Sequence, residues 1–250
     1  MSKRVLMVVA NPAVSKLTGW RLAQAPGSAG SAARGLGFWA SELIHPWYEF
    51  REAGYEVTLA SPGGGPVRVD AMSDPRDESG YSATDVLSRG FLEDPDLPAM
   101  LENTARLEDL DPGLFDAIVV CGGQGPMYQF RENEALKRAI AAFFEAGKPT
   151  AALCHGVSAL IDVRLSDGAA LIADRTITGF ANVEEDAADE AVGRQVQPWR
   201  IEDAARERGA NYIEGGLWRP FAVRDGLLIT GQQQHSGRKV AELVIETLGR

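Results

Sequence analysis

Four short apolar runs restrict most strongly what this chain can fold into. Residues 5–10, 56–60, 116–121 and 150–154 are rich in Val, Ile, Leu and Ala, and they do not alternate apolar with polar side chains. A strand with one wet face alternates, whereas a strand covered on both faces does not. The runs therefore predict a mostly parallel sheet with helices on both sides. Helical spacing appears between and after them. Trp39, Leu43, Trp47 and Phe50 share one face of a helix expected over 39–53. Leu136, Ala139, Ile140 and Phe143 do the same over 132–146, where Gly147 is placed as a stop. A third helix is expected over 236–248, with Val240, Leu243, Val244 and Leu248 as its apolar face. The alternation implies a three-layer α/β sandwich, in which functional residues gather at the carboxyl ends of the strands.

Two stretches interrupt this pattern. Residues 22–37 are rich in Gly, Ser and Ala and read as a flexible loop between the first strand and the first helix. Residues 63–111 form a long excursion with acidic and proline residues and one helix expected at 97–107. Long loops in a compact domain commonly serve as a lid, a cap or a subunit contact. Neither an internal repeat nor a linker divides the chain, so residues 1–250 are expected to form one elaborated domain.

Composition narrows the chemistry. With 25 basic against 35 acidic residues, the net charge of −10 argues against nucleic acid or an anionic membrane surface as partner. The apolar run near the N-terminus is too short for a signal peptide and is broken by Asn11-Pro12. A buried strand and a cytoplasmic location are expected instead. The 2 cysteines cannot make a disulfide framework, and the 3 histidines form no zinc motif with them. No metal and no cofactor is expected, and any nucleophile must come from a very short list.

Ala152-Leu153-Cys154-His155-Gly156 is the most informative segment. It follows an apolar strand and precedes a helical run expected at 157–162. A nucleophile elbow lifts one side chain above the sheet on a sharp turn, and small residues two positions away on each side avoid backbone clashes. Ala152 and Gly156 occupy those positions around Cys154. A helix beginning there would favour thiolate over thiol. Cys121 ends another strand and reads as a packed residue. Gly122 and Gly123 follow it, and a Gly-Gly turn at a strand end can aim N–H groups at a neighbouring site. The spacing is not that of a phosphate loop, so no nucleotide is inferred.

These segments resemble the ThiJ/PfpI superfamily, and within it the branch of heat-inducible chaperones and glutathione-independent glyoxalases (glyoxalase III). The resemblance rests on Gly37-Phe38-Trp39-Ala40-Ser41-Glu42-Leu43 with His45-Pro46, and on Ala53-Gly54-Tyr55-Glu56-Val57. It continues through Gly122-Gly123-Gln124-Gly125-Pro126-Met127, the Cys154 segment, Thr178-Gly179-Phe180 with Glu184-Glu185, and Leu228-Ile229-Thr230-Gly231-Gln232. It implies the class I glutamine amidotransferase-like, flavodoxin-like fold. Carried over residue by residue, Cys154 matches the nucleophile and His155 its catalytic neighbour. Glu42 matches the acid that hydrogen-bonds the cysteine through a protonated carboxyl. Glu185, or less favourably Glu184, matches the acid that orients the histidine. Gly122 and Gly123 match the backbone donors. Gln124 and His235 depart from the residues usual in the family and fall on loops expected near the pocket, where His235 is a candidate substituted pocket group.

The activity implied is glutathione-independent conversion of methylglyoxal to lactate, a small carbonyl substrate being the partner. The same nucleophile would also serve an amidase or peptidase, and a holding chaperone or redox sensor is the reading from a different class. Homodimers are frequent in the superfamily, although no residue pattern in this chain demonstrates one. His45 is expected to pack or cap.

Overall fold

The computed structural model describes residues 2–12 and 36–249; the Gly-rich segment lies outside them, Leu36 and Gly37 excepted. The strands are β1 (Arg4–Val8), β2 (Glu56–Ser61), β3 (Ala105–Arg106), β4 (Ala117–Val120), β5 (Thr150–Leu153), β6 (Thr176–Ile177), β7 (Asn211–Tyr212), β8 (Ala222–Asp225) and β9 (Leu228–Gly231). Seven of them make one sheet in the order β3-β2-β1-β4-β5-β9-β8, parallel except where β8 pairs antiparallel with β9. β6 and β7 pair separately.

The helices are α1 (Ala40–Glu52), α2 (Val86–Glu93), α3 (Ala99–Glu102), α4 (Pro126–Gln129), α5 (Glu134–Glu145), α6 (Asn182–Val192), α7 (Ile201–Glu207) and α8 (Gly237–Leu248). They explain why the strands do not alternate. Leu6 and Val8 of β1 enter a core with Phe115, Ile140 and Phe143, while Val5 and Met7 enter a second core with Ile44, Phe50 and Val244. Both faces of the sheet are dry, so β4 is apolar at every position and β5 is apolar at all but Thr150. Side chains set the helix starts: Asn133 accepts from Leu136 N at 2.8 Å to begin α5, and Asp85 accepts from Ser88 N at 3.0 Å to begin α2. α1 runs unbroken through Pro46, and its first turn tightens as Glu42 N bonds Trp39 O at 3.1 Å.

The excursion is folded. In place of a helix over 97–107, α3 ends at Glu102, and Ala105–Arg106 joins the sheet as β3. Asn103 leaves the helical region with φ −142° and ψ 63°, and Thr104 bonds both Ser61 Oγ and Gly65 O at 2.7 Å. These side-chain bonds tie the segment to β2 more firmly than helical periodicity holds it. The excursion also caps the carboxyl end of the sheet: Asp70 N bonds Phe38 O at 2.8 Å, and His45 Nε2 lies 2.9 Å from the α2 cap residue Asp85. Because β1, β4 and β5 are sheet neighbours, their carboxyl ends lie side by side.

Candidate active site

Cys154 directly follows β5 in the left-handed conformation, φ 54°. A side chain other than glycine is strained there by about 1 kcal/mol or more, and such strain concentrates at functional sites. The helix expected at 157–162 is instead a 3-10 helix, Cys154–Leu160, that begins at the cysteine itself. Gly156 must be glycine for this turn, since a Cβ would come within 2.5 Å of Val120 O. Without a full α-helix at its back, the sulfur relies on two particular amides: His155 N–H and Gly123 N–H both donate toward it.

Glu42 projects from the first turn of α1 into the space behind the sulfur and is 0% exposed. Its Oε2 accepts from Gly122 N at 2.7 Å, its Oε1 receives no hydrogen bond, and the Cys154 thiol is the side chain that adjoins it. Burial pushes the Glu42 carboxyl up to about 8. Burial first, and then the charge of Glu42, push the Cys154 thiol up. Two groups this close in a dry site accommodate one negative charge between them. With the proton on Glu42 the repulsion is gone, and Oε1 becomes a donor to the sulfur.

Cys154 Sγ lies 3.7 Å from His155 Nδ1, and His155 Nε2 lies 3.0 Å from Glu185 Oε1. Glu185 stands in the first turn of α6. Glu184 turns elsewhere: it accepts from Ala181 N, Trp218 N and Gln232 Nε2 at 3.2, 3.1 and 2.9 Å, and so shapes the loop that carries Trp218. Glu184 therefore braces the wall, while Glu185 faces the imidazole.

Two sequence-based expectations need correction. The Gly122 amide does not face the reacting centre, because Glu42 takes its hydrogen; Gly123 and His155 supply the donors there. His235 is exposed and lies outside the cavity. Ser236 Oγ accepts from Gln233 N at 3.3 Å and His235 N donates to Gln233 Oε1, a tight turn that sends Gln234 inward and His235 outward.

Asp70 carries no sequence signal yet organises the rim. Buried beneath the site, it accepts from Gly37 N and Gln124 N, each at 2.7 Å, and burial pushes its carboxyl up. Gln124 Oε1 in turn receives Gln197 Nε2. Gly123 is held between these contacts with φ +106°, and a Cβ there would come within 2.4 Å of Trp39 N. Gly123→Ala is expected to destabilise the protein by about 2–4 kcal/mol, read as a lower denaturation midpoint with an unchanged denaturant slope.

Above Cys154 and His155 opens a cavity of about 300 Å³. Trp39, Met72, Tyr81, Phe180 and Trp218 form its broad walls, and Ala187, Ala188, Ala191 and Val192 of α6 form one side. Phe180 stacks on His155 at 4.3 Å between centroids, and Tyr81 meets Trp39 edge-on at 5.9 Å. Met72 and Tyr81 come from the excursion, which is thus part of the site.

The sequence matches the DJ-1/PfpI family model over residues 35–247. The chain belongs to the DJ-1/PfpI family. Among family members, "Glyoxalase 3" of Candida albicans is 30% identical over 216 residues, covering 84% of this chain and 88% of that protein. "Glutathione-independent glyoxalase HSP31" of Saccharomyces cerevisiae is 27% identical over 218 residues, 85% of this chain and 89% of that one. The crystal structure of glyoxalase III from Candida albicans superposes with a TM-score of 0.74 at 26% identity, covering 98% of this chain and 97% of that chain. Among the described residues, no helix is long and apolar enough to cross a membrane, and no group of three His, Cys, Asp or Glu side chains could hold a metal ion.

Proposed function

We propose that this DJ-1/PfpI protein is a glutathione-independent glyoxalase of the glyoxalase III type, converting methylglyoxal and water to lactate with Cys154 as nucleophile. The observation that carries the reading is the buried arrangement in which Cys154 has the Glu42 carboxyl on one side and the His155–Glu185 pair on the other. The similarity to relatives named as glyoxalases over most of the chain supports it.

The geometry accommodates each step. The Cys154 thiolate forms a bond to the aldehyde carbon, and the electron pair of the C=O bond moves to oxygen beside the Gly123 and His155 amides. Glu42 protonates that oxygen, giving a hemithioacetal. His155 takes the hydrogen from the same carbon, and the adjacent carbonyl oxygen gains a proton, giving an enediol. Return of a proton to the second carbon and loss of one from the first hydroxyl leave a lactoyl thioester. Water adds to the thioester, the sulfur leaves, and lactate is released. Glu185 holds the imidazole in place through the 3.0 Å contact of its Oε1 with His155 Nε2.

The test is lactate formation from methylglyoxal by the purified protein with no thiol cofactor present. Lactate at catalytic turnover is expected, and its absence, with methylglyoxal unconsumed, sinks the reading. Glu185→Gln keeps the size of the side chain but removes its charge. It is expected to lower kcat about 10²-fold with little change in KM.

An amide or peptide substrate fits less well. The cavity is walled on its described sides by Trp39, Tyr81, Phe180 and Trp218, which suit a small carbonyl compound better than an extended chain.

A further inference from the structure

The cavity is larger and drier than methylglyoxal requires. About 300 Å³ is room for roughly ten water molecules. A substrate with a single methyl group would leave most of that volume as water held against aromatic walls. Cys154 and His155 form the reacting end, and Gln124 and Gln234 each add one amide to the lining. The remaining described walls are Trp, Tyr, Phe, Met, Val and Ala. None of the described lining residues is Lys, Arg, Asp or Glu, so the described walls offer a phosphate or carboxylate no cationic partner.

Side-chain size on α6 creates the room. Glu185 faces His155 from the helix's first turn, and Ala188 lies one turn further along, with Ala191 beyond it. Leucine at either place would project into the cavity. Phe180 and Trp218, with centroids 5.8 Å apart at 57°, and Trp39 offer ring surfaces suited to a flat or branched apolar group.

We propose that the preferred substrates are α-oxoaldehydes whose ketone carries a bulky apolar group, an aryl or branched-alkyl glyoxal, with methylglyoxal the smallest and poorest of the series. The inference rests on the glyoxalase reading and adds its substrate class. The chemistry is the one already given: phenylglyoxal and water yield mandelate, with one hydrogen moved from the aldehyde carbon to its neighbour. The reacting carbons sit at Cys154, and the ring occupies the space between Trp39, Phe180 and α6.

The experiment compares kcat/KM for phenylglyoxal, methylglyoxal and a hydroxymethyl glyoxal in wild type, Ala188→Leu and Ala191→Phe. Phenylglyoxal is expected to exceed methylglyoxal by about tenfold or more, the polar analogue to be poorest, and both variants to lower the phenylglyoxal-to-methylglyoxal ratio about tenfold. Comparing ratios removes the intrinsic reactivity of each aldehyde. Position 191 is the more exposed of the two, so Ala191→Phe covers the case in which Ala188→Leu folds poorly. A wild-type ratio near one, or a ratio that neither variant moves, overturns the proposal.

Acetophenone, which cannot rearrange, separates the two levels of inference through quenching of tryptophan fluorescence. If no α-oxoaldehyde is turned over yet acetophenone binds saturably to wild type and weakly to Ala188→Leu, the glyoxalase reading falls and the cavity's preference for aryl carbonyl ligands stands. No turnover and no acetophenone binding overturn both.

Discussion

Cys154→Ala is expected to reduce lactate formation about 10⁴-fold or more in kcat while leaving the protein folded. The reason is chemical and local. The His155 and Gly123 amides, Glu42 and the His155–Glu185 pair all remain, but no atom is left to bond the aldehyde carbon. Cys121 cannot substitute, because it is fully buried in the core behind Glu42 and burial pushes its thiol well up. Cys154→Ser should be nearly as inactive, since a hydroxyl of this kind is not ionised near neutral pH. Thermal unfolding should shift by only a few degrees in either variant, as the left-handed backbone at this position is equally strained for Cys, Ala and Ser. Residual turnover within tenfold of wild type would remove the covalent route.

Glu42→Gln should separate activity from stability. Glutamine has the shape of the protonated carboxyl: its carbonyl can accept from Gly122 N, and its amide can donate to the sulfur. It can make the hydrogen bonds but cannot give up a proton, so kcat is expected to fall about 10²-fold. Stability should move the other way. In the folded protein Glu42 keeps its proton up to about pH 8, against an ordinary value of 4.5. The folded state therefore holds more protons than the unfolded state between those two values. Wild-type stability falls as pH rises through that window and levels off above it, a change on the order of 5 kcal/mol for a fully buried carboxyl. The variant lacks this contribution, so it should match wild type near pH 4.5 and be more stable above pH 8. Denaturation midpoints measured across the window check the sign. A difference that shrinks with rising pH would mean that Glu42 is ionised in the fold. The pH profile of kcat gives a second check: loss of activity as Glu42 ionises should be present in wild type and absent in the variant.

The elbow was legible because its requirements are local. A strand, a cysteine and small residues at Ala152 and Gly156 are all neighbours in sequence, and the resemblance added Glu42 and Glu185 at defined places in quoted motifs. Less legible was anything that depended on which way a loop turns. Gln234 and His235 are adjacent, and one side-chain bond to the backbone within that turn decided which of them faces inward. The Gly-Gly turn was visible, but the assignment of its two amides was not, because Glu42 claims one of them from a distant helix. Asp70 gave no sign at all. An aspartate in a polar excursion is ordinarily a solvated one, and only the packing of that excursion against Gly37 and Gln124 buries it.

By itself the sequence determined the layered α/β fold, since unbroken apolar strands must be covered on both faces, and it singled out Cys154 as the candidate nucleophile, since one of two cysteines stands on an elbow. Tertiary structure alone decided the protonation of Glu42 and the shape of the cavity. Both depend on burial, and burial is a property of what several distant segments enclose together. The Glu42 carboxyl holds its proton because α1, the Gly122 turn and Cys154 exclude water from it. The space above the sulfur is wide because α6 lines it with Ala187, Ala188 and Ala191 in place of larger side chains.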